Sequence, residues 1–243
     1  MKRNVSGVAR FVVCGVLAVA LFFPAKIRAS EILYQFNTPF PSDSSPAGPS
    51  PWILASFSNA APGTVFLTIS NTAISKSEFA SELYFNLNTN LNPHNLVFTL
   101  VSSNGGFSAP TINHNSANAY KADGDGKYDI RFNFGTANAK TFTFGEFVTY
   151  QITGIASLTA LDFGYLSAPA GGSGPFFAAG HIQGVPSHCG SSTWIEPCNG
   201  PIIVVPIVPV PEPAPAILLT LASGLWFTVR FIRRRVRRLS PRG

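Results

Sequence analysis

Short runs of β-branched and aromatic residues fill the middle of this 243-residue chain, and each run is broken by Gly, Pro, Asn or Ser. Runs of this kind predict strands, because such residues fit a pleated, half-buried surface and the breakers favour turns. The candidate strands are Ile32–Phe36, Trp52–Ser58, Thr64–Ser70, Glu82–Leu87, Leu96–Val101, Tyr128–Phe134, Lys140–Phe144, Phe147–Gly154 and Ala178–Val185. The pattern predicts an all-β domain, an antiparallel β-sandwich that is jelly-roll-like.

Alternation within one region predicts a hairpin. Apolar residues share one strand face at Ile130, Phe132 and Phe134, and Phe142 and Phe144 repeat the pattern after the loop 135–139. The phenylalanines, 21 in all, are predicted to form core, since about half of the strand positions in a sandwich face inward. Helical signals are confined to Ser75–Ala80 and Leu158–Asp162.

The first 29 residues have the parts of a signal peptide. Its N-terminal region is positively charged and contains Lys2, Arg3 and Arg10. The apolar run Phe11–Phe23 follows, and we expect cleavage after the small residue Ala29, with Ala25 as an alternative site. A retained membrane anchor is the rival interpretation, but 13 apolar residues are short for a span.

The C-terminal part of the sequence falls into a stalk, an apolar segment and a basic tail. Prolines recur through Pro201–Pro215, so we expect an extended stretch there. Residues 214–232 are mainly apolar and, at ~1.5 Å per residue, would reach about 28 Å as a helix, enough for a thin bilayer. The basic tail that follows contains Arg233, Arg234, Arg235, Arg237 and Arg238. The positive-inside rule places this tail in the cytoplasm and the main domain on the outer side.

The order of these segments resembles the sorting region of PEP-CTERM proteins of Gram-negative bacteria. The motif residues that match are Val210, Pro211, Glu212 and Pro213, and the apolar segment and the arginine cluster follow them in order. The resemblance implies two processing partners, signal peptidase and an exosortase that cuts near the motif. It also implies an inner-membrane intermediate with the domain in the periplasm, and then a cell-surface or extracellular location. An ordinary membrane anchor with a proline stalk is the alternative.

Five segments are therefore expected. They are the signal peptide 1–29, the exported β-sandwich domain 30–200, the proline-rich stalk with its Pro-Glu-Pro motif 201–213, the transmembrane helix 214–232 and the arginine-rich cytoplasmic tail 233–243. The exported domain is also similar to uncharacterised exported domains of PEP-CTERM proteins, through the runs Ala122–Ile130, Tyr150–Ile155 and Phe163–Pro169. This similarity implies fold and secreted status, but no activity.

The formal charge of +6 comes from the two ends of the chain. Seven arginines lie between Arg230 and Arg242, and a further five basic residues lie within the first 28. Between Ser30 and Pro213, five basic residues stand against 11 acidic ones, a net charge of −6. This balance argues against nucleic-acid binding, which needs a basic patch on the folded domain.

Cys189 and Cys198 are the cysteines that remain after signal-peptide cleavage, and eight residues rich in Gly, Ser and Pro separate them. In an oxidising compartment this pair predicts a small disulfide loop. A metal site that includes His188 is the alternative, although no second ligand pair occurs at metal-binding spacing.

Asp123, Asp125 and Asp129 lie in a run with two glycines, the one pattern in the domain that suits a ligand site. Carboxylates spaced in this way can converge on a calcium ion. The run is not an EF-hand loop, because Phe134 takes the twelfth position, where that loop has a glutamate. The alternative is an Asp-Gly turn with solvated acids. A structural calcium ion is accordingly the one cofactor that the sequence suggests.

The common hydrolase signatures, Gly-x-Ser-x-Gly and His-Glu-x-x-His, do not occur in the sequence. We therefore expect a non-enzymatic surface or extracellular-matrix protein that an exosortase sorts, with an association with extracellular polysaccharide implied by the family resemblance. The first alternative is a carbohydrate-binding module with Trp52, Tyr120 or Trp194 as stacking platforms. The second is a glycosidase in which two acids distant in sequence meet in space.

Overall fold

The computed structural model describes residues 30–75, 77–137, 140–186 and 192–204. Two six-stranded antiparallel sheets pack against each other in this part of the chain. The first sheet has the order β14-β1-β3-β4-β11-β6, with β1 Glu31–Phe36, β3 Ile53–Ala61, β4 Thr64–Asn71, β6 Val97–Ser103, β11 Phe147–Thr153 and β14 Ile202–Val204. The second has the order β2-β13-β12-β5-β10-β7, with β2 Thr38–Pro39, β5 Phe79–Phe85, β7 Thr111–Asn113, β10 Ile130–Asn133, β12 Ala178–Gln183 and β13 Ser192–Glu196. The prediction of an antiparallel β-sandwich is confirmed.

A separate hairpin, β8 Tyr120–Ala122 and β9 Gly126–Tyr128, packs on the outer face of the second sheet. The Asp-Gly turn predicted from the sequence joins its strands. Asp123 and Gly124 both have positive φ, +47° and +84°, as a tight hairpin turn between twisted strands requires. The Asp125 N–H donates to the Ala122 carbonyl at 2.9 Å and closes the turn.

The main core lies between the two sheets and is built from alternating strand residues. In β1, the inward residues Ile32, Tyr34 and Phe36 are fully buried, as the period of two predicts. Phe57 of the first sheet meets Phe85 of the second with ring centroids 5.3 Å apart and planes at 81°. Full burial of such side chains stabilises the fold by roughly 1.5–3 kcal/mol each.

The prediction of a hairpin between Tyr128–Phe134 and Lys140–Phe144 is wrong. β10 pairs with β5 and β7, and residues 140–144 reach the second sheet through one isolated bridge, Ala80 to Phe142. Phe142 is buried against other rings, whereas Phe144 is 51% exposed. The apolar alternation of Phe142 and Phe144 therefore does not mark a paired strand, because only Phe142 is buried in the core.

The two helical signals have different outcomes. The segment Ser75–Ala80 forms no helix, because its last two residues start β5 and the buried Glu78 carboxylate accepts the backbone N–H groups of Ala47 and Ser75, both at 2.9 Å. The second signal is a 3₁₀ turn, Ala160–Phe163. It is capped by Asp162, which accepts from the Thr159 N–H and hydroxyl, both at 2.9 Å.

The predicted signal peptide, most of the stalk, the predicted transmembrane helix and the arginine-rich tail lie outside the described residues. Within the described ranges, no helix is long and apolar enough to cross a membrane. The last described strand, β14, falls in the stretch where the prolines begin, and it pairs with β1 at the edge of the first sheet.

Candidate functional site

Aromatic and charged side chains from four strands of the second sheet and one strand of the hairpin form a strip on the outer face of that sheet. In β13 and β12, Trp194 is paired with His181, and His181 is in turn paired with Glu82 of β5. Arg131 of β10 lies opposite Tyr84 in the next row, and the hairpin brings Tyr120 against it. We call Trp194, His181, Glu82, Arg131 and Tyr120 the outer strip.

A second, smaller core fixes the outer strip along one side. Its buried residues come from the hairpin, from the strands beneath it and from the loop after β2, and they are Phe40, Tyr84, Ala122, Tyr128 and Ala179. Trp194 and Tyr120 are partly buried against this cluster. The outer strip is therefore held on rigid elements, a requirement for a binding site with defined geometry.

His181 stands at the centre of the strip. Its ring stacks on Trp194, with centroids 4.5 Å apart and planes at 14°, and its Nδ1 lies 2.9 Å from the Ser81 hydroxyl. Burial lowers the pKa of His181 below its usual value, an effect that outweighs the opposing influence of Glu82 and of two nearby aspartates. We therefore expect a neutral imidazole at neutral pH.

Glu82 and Arg131 form the charged part of the strip. The Tyr84 hydroxyl donates to Glu82 Oε2 at 2.6 Å, while Glu82 Oε1 lies 3.8 Å from Arg131 Nη1. Burial, followed by the adjacent Glu82, raises the pKa of Tyr84, so its hydroxyl stays protonated and continues to donate. Arg131 also donates to Asn113 at 3.2 Å and lies over the ring of Tyr120 at 5.3 Å.

Acidic residues border the strip next to His181. Asp43 Oδ2 accepts the backbone N–H of Trp194 at 2.7 Å. Burial raises the pKa of Asp123, and the charges of Asp43 and Asp125 raise it further, partly offset by His181. The strip thus combines fixed donors and acceptors of both signs with partly exposed aromatic rings, an arrangement suited to hydrogen bonding with a polar ligand.

The predicted calcium ligands have separate contacts in the structure. Asp125 Oδ1 accepts the N–H of Ser173 at 2.5 Å, while Asp129 turns its two oxygens to the N–H groups of Leu87 at 2.8 Å and Asn118 at 2.7 Å. In the described part of the chain, no three His, Cys, Asp or Glu side chains are grouped so that they could hold a metal ion. The calcium site stays a prediction.

The three aromatic residues predicted as stacking platforms differ in accessibility. Trp52 is only 4% exposed, and its Nε1 donates to the Gly48 carbonyl at 2.7 Å, so the prediction of a platform there is wrong. Trp194 is partly buried, and its ring stacks on those of His181 at 4.5 Å and Phe40 at 6.1 Å between centroids. Tyr120 is half-buried and has Arg131 over its ring.

The remaining predicted site residues lie wholly or partly outside the described residues. Cys198 is exposed, and its N–H donates to Asn37 Oδ1 at 3.1 Å, but Cys189 and His188 are not among the described residues. The disulfide and the alternative metal site stay predictions. The same holds for the sorting motif 210–213 and for the arginine cluster.

The sequence matches no protein-family model and is similar to no curated protein. Among solved structures, the chain is similar to biomass-sensing modules from Rsgi-like proteins of Clostridium thermocellum, described as resembling a family 3 carbohydrate-binding module of the cellulosome. The identity is 13%, the match covers 65% of this chain and 94% of that chain, and the TM-score is 0.28. A structural similarity this low is no evidence of a shared ligand or function.

Proposed function

We propose that this chain is an exported, non-enzymatic surface or extracellular-matrix protein that an exosortase sorts through a PEP-CTERM tail. The observation that carries the proposal is the order of three segments in the sequence. The motif Val210–Pro213 comes first, the apolar segment 214–232 follows, and the cluster that starts at Arg233 comes last. A lone Pro-Glu-Pro would be weak support, whereas the full order together with a signal peptide is specific.

The fold supports this proposal by the position of its two ends. Glu31 is paired with Val204, so the first and last described strands are neighbours at one edge of the first sheet. The buried residues of the main core that the structure describes run from Ile32 in β1 to Ile195 in β13. Removal of both flanking segments would therefore leave the described core intact.

In the proposed route, signal peptidase cuts after Ala29 and the apolar segment holds the domain in the periplasm. The exosortase then cuts near Pro211-Glu212-Pro213, with Glu212 as a recognition residue, and the domain passes to the cell surface or the medium. The net charge of −6 between Ser30 and Pro213 fits a domain that leaves its basic segments behind.

Substitution in the motif tests this route. In cells that contain the exosortase, Pro211→Ala should keep the protein in the membrane fraction and reduce the released form at least severalfold, because the motif is what the enzyme would read. Pro206→Ala is the matched control, a proline of the same stalk outside the motif, and should be released like the wild type. Equal release of both variants would refute the role of the motif.

The outer strip favours a second candidate function, binding of extracellular polysaccharide. Arg131 and Glu82 keep 32% and 22% of their side chains exposed, and the half-buried ring of Tyr120 lies beside them. Sugar hydroxyls can hydrogen-bond to a guanidinium and a carboxylate, and sugar C–H groups pack on aromatic rings. The strip offers both kinds of contact on a rigid sheet face.

A glycan array probed with the purified protein tests this second candidate. Tyr120→Ala should weaken binding to a retained glycan about fivefold, since loss of one aromatic contact costs on the order of 1 kcal/mol. Tyr165→Ala, which removes a tyrosine that is 38% exposed outside the strip, should leave the affinity unchanged. If no glycan is retained, polysaccharide binding is refuted. Hydrolysis that Glu82→Gln abolishes would point to a glycosidase instead.

A further inference from the structure

The edge strand β6 differs from the other three sheet edges of the described sandwich. It has seven residues and pairs only with β11. At the other edges, β7 has three residues and β2 has two, one of which is Pro39, while β14 has three described residues and Pro206 follows them in the sequence. Short edge strands, prolines and β-bulges are usual means by which proteins block unwanted strand pairing; β6 is long and has no proline, and its one bulge lies in its C-terminal half, at Val101.

The side chains of β6 also do not prevent pairing with another strand. Its sequence, Val-Phe-Thr-Leu-Val-Ser-Ser, contains no charged residue. Val97, Leu100 and Val101 are 52%, 47% and 52% exposed. The outward side chains of its neighbour β11, from Phe147 to Thr153, are uncharged too. A long, neutral and partly apolar edge is the kind of surface to which another strand adds.

We propose that β6 pairs with β6 of a second copy of this chain, which joins the two first sheets into one antiparallel sheet across a two-fold axis. A two-fold axis perpendicular to the sheet keeps outward residues opposite outward residues. A register centred on Thr99 then sets Val97 against Val101 of the second copy and Phe98 against its Leu100. Every exposed apolar side chain of the edge meets an apolar partner, and no like charges face each other.

This arrangement closes after two copies. Each chain has one long edge, and the pairing uses it up, so no free long edge of the described sandwich remains for a third copy. The register shift of β6 against β11 falls at Val101, between the paired residues Leu100 and Ser102, so Val97–Leu100 is regular and the two Val97–Val101 pairs at the ends of the proposed interface include the bulged residue. The chain's own proline-rich stalk is a poor partner for this edge, because its prolines lack the N–H donors of a ladder.

Sedimentation of the full-length chain in detergent tests the proposal. The wild type should sediment as a dimer, and Thr99→Lys should raise the dimer dissociation constant at least tenfold, because two lysines would then face each other at the two-fold axis. Thr111→Lys puts the same change on β7, the neighbouring edge of the second sheet, and should stay dimeric. A monomeric wild type, an open series of oligomers, or a dimer unaffected by Thr99→Lys would overturn the proposal.

A crosslink gives a second measurement that does not depend on a disruptive variant. With Thr99 opposite its own copy, Thr99→Cys should form a reducible covalent dimer under mild oxidation, because the paired Cα atoms would be about 4.5–5.5 Å apart. Thr111→Cys and the wild type should not form it. If Thr99→Cys gives no more covalent dimer than these two controls, the pairing of β6 with itself is wrong.

Discussion

At the residue scale, Glu196 couples the stability of the second sheet to pH. It is half-buried at the end of β13, next to the second core, and burial raises its pKa from an ordinary value of 4.5 to about 7. The fold therefore favours the protonated carboxyl. The stabilisation from this group is complete below about pH 4.5, declines as the pH rises toward 7, and is lost above the folded-state pKa.

Replacement of Glu196 by glutamine tests this linkage, because glutamine mimics the protonated acid. We expect Glu196→Gln to raise the urea midpoint of unfolding at pH 8 and to leave it almost unchanged at pH 4. Glu31→Gln, which changes a half-buried strand glutamate in the first sheet, is the control and should give no gain specific to pH 8. A gain of equal size for Glu196→Gln at both pH values would contradict the burial of an ionised Glu196 as the cause.

At the element scale, strands with clean alternation could be predicted from the sequence. β1, β4 and β11 have strict in-out burial, and their predicted bounds differ from the observed ones by one residue at most. The predicted strand Glu82–Leu87 lies two to three residues beyond the observed β5, because an irregularity in the pairing of β5 with β12 near Ser81 interrupts the period of two. The sequence does not predict β13, since the region between the two cysteines has the composition of a loop.

The outer strip could be predicted only in part. Tyr120 and Trp194 can be selected from the sequence, because the chain has only six tyrosines and three tryptophans. His181, Glu82 and Arg131 cannot, because they lie on three different strands, far apart in the sequence, and no local motif joins them. The order β13-β12-β5-β10 brings them together, and that order depends on non-local pairing, which no local pattern contains. One available signal was the outward position of His181 within the predicted strand Ala178–Val185.

At the scale of the whole molecule, the β-sandwich lies between two segments of the sequence that the proposed processing would remove. The paired ends of the domain, at Glu31 and Val204, leave from one edge of the first sheet. The proposed dimer edge β6 lies at the opposite side of that sheet. Attachment through the stalk and pairing through β6 would therefore use different edges of the same protein.

Processing at both ends of the chain can be tested by measuring the intact mass of the protein from cells with and without the exosortase. With the enzyme, we predict a mass that lacks residues 1–29 and everything that follows the Pro-Glu-Pro motif. Without it, the mass should lack residues 1–29 alone and keep the segment 214–243. One and the same mass in both strains, with segment 214–243 retained, would contradict sorting through this tail.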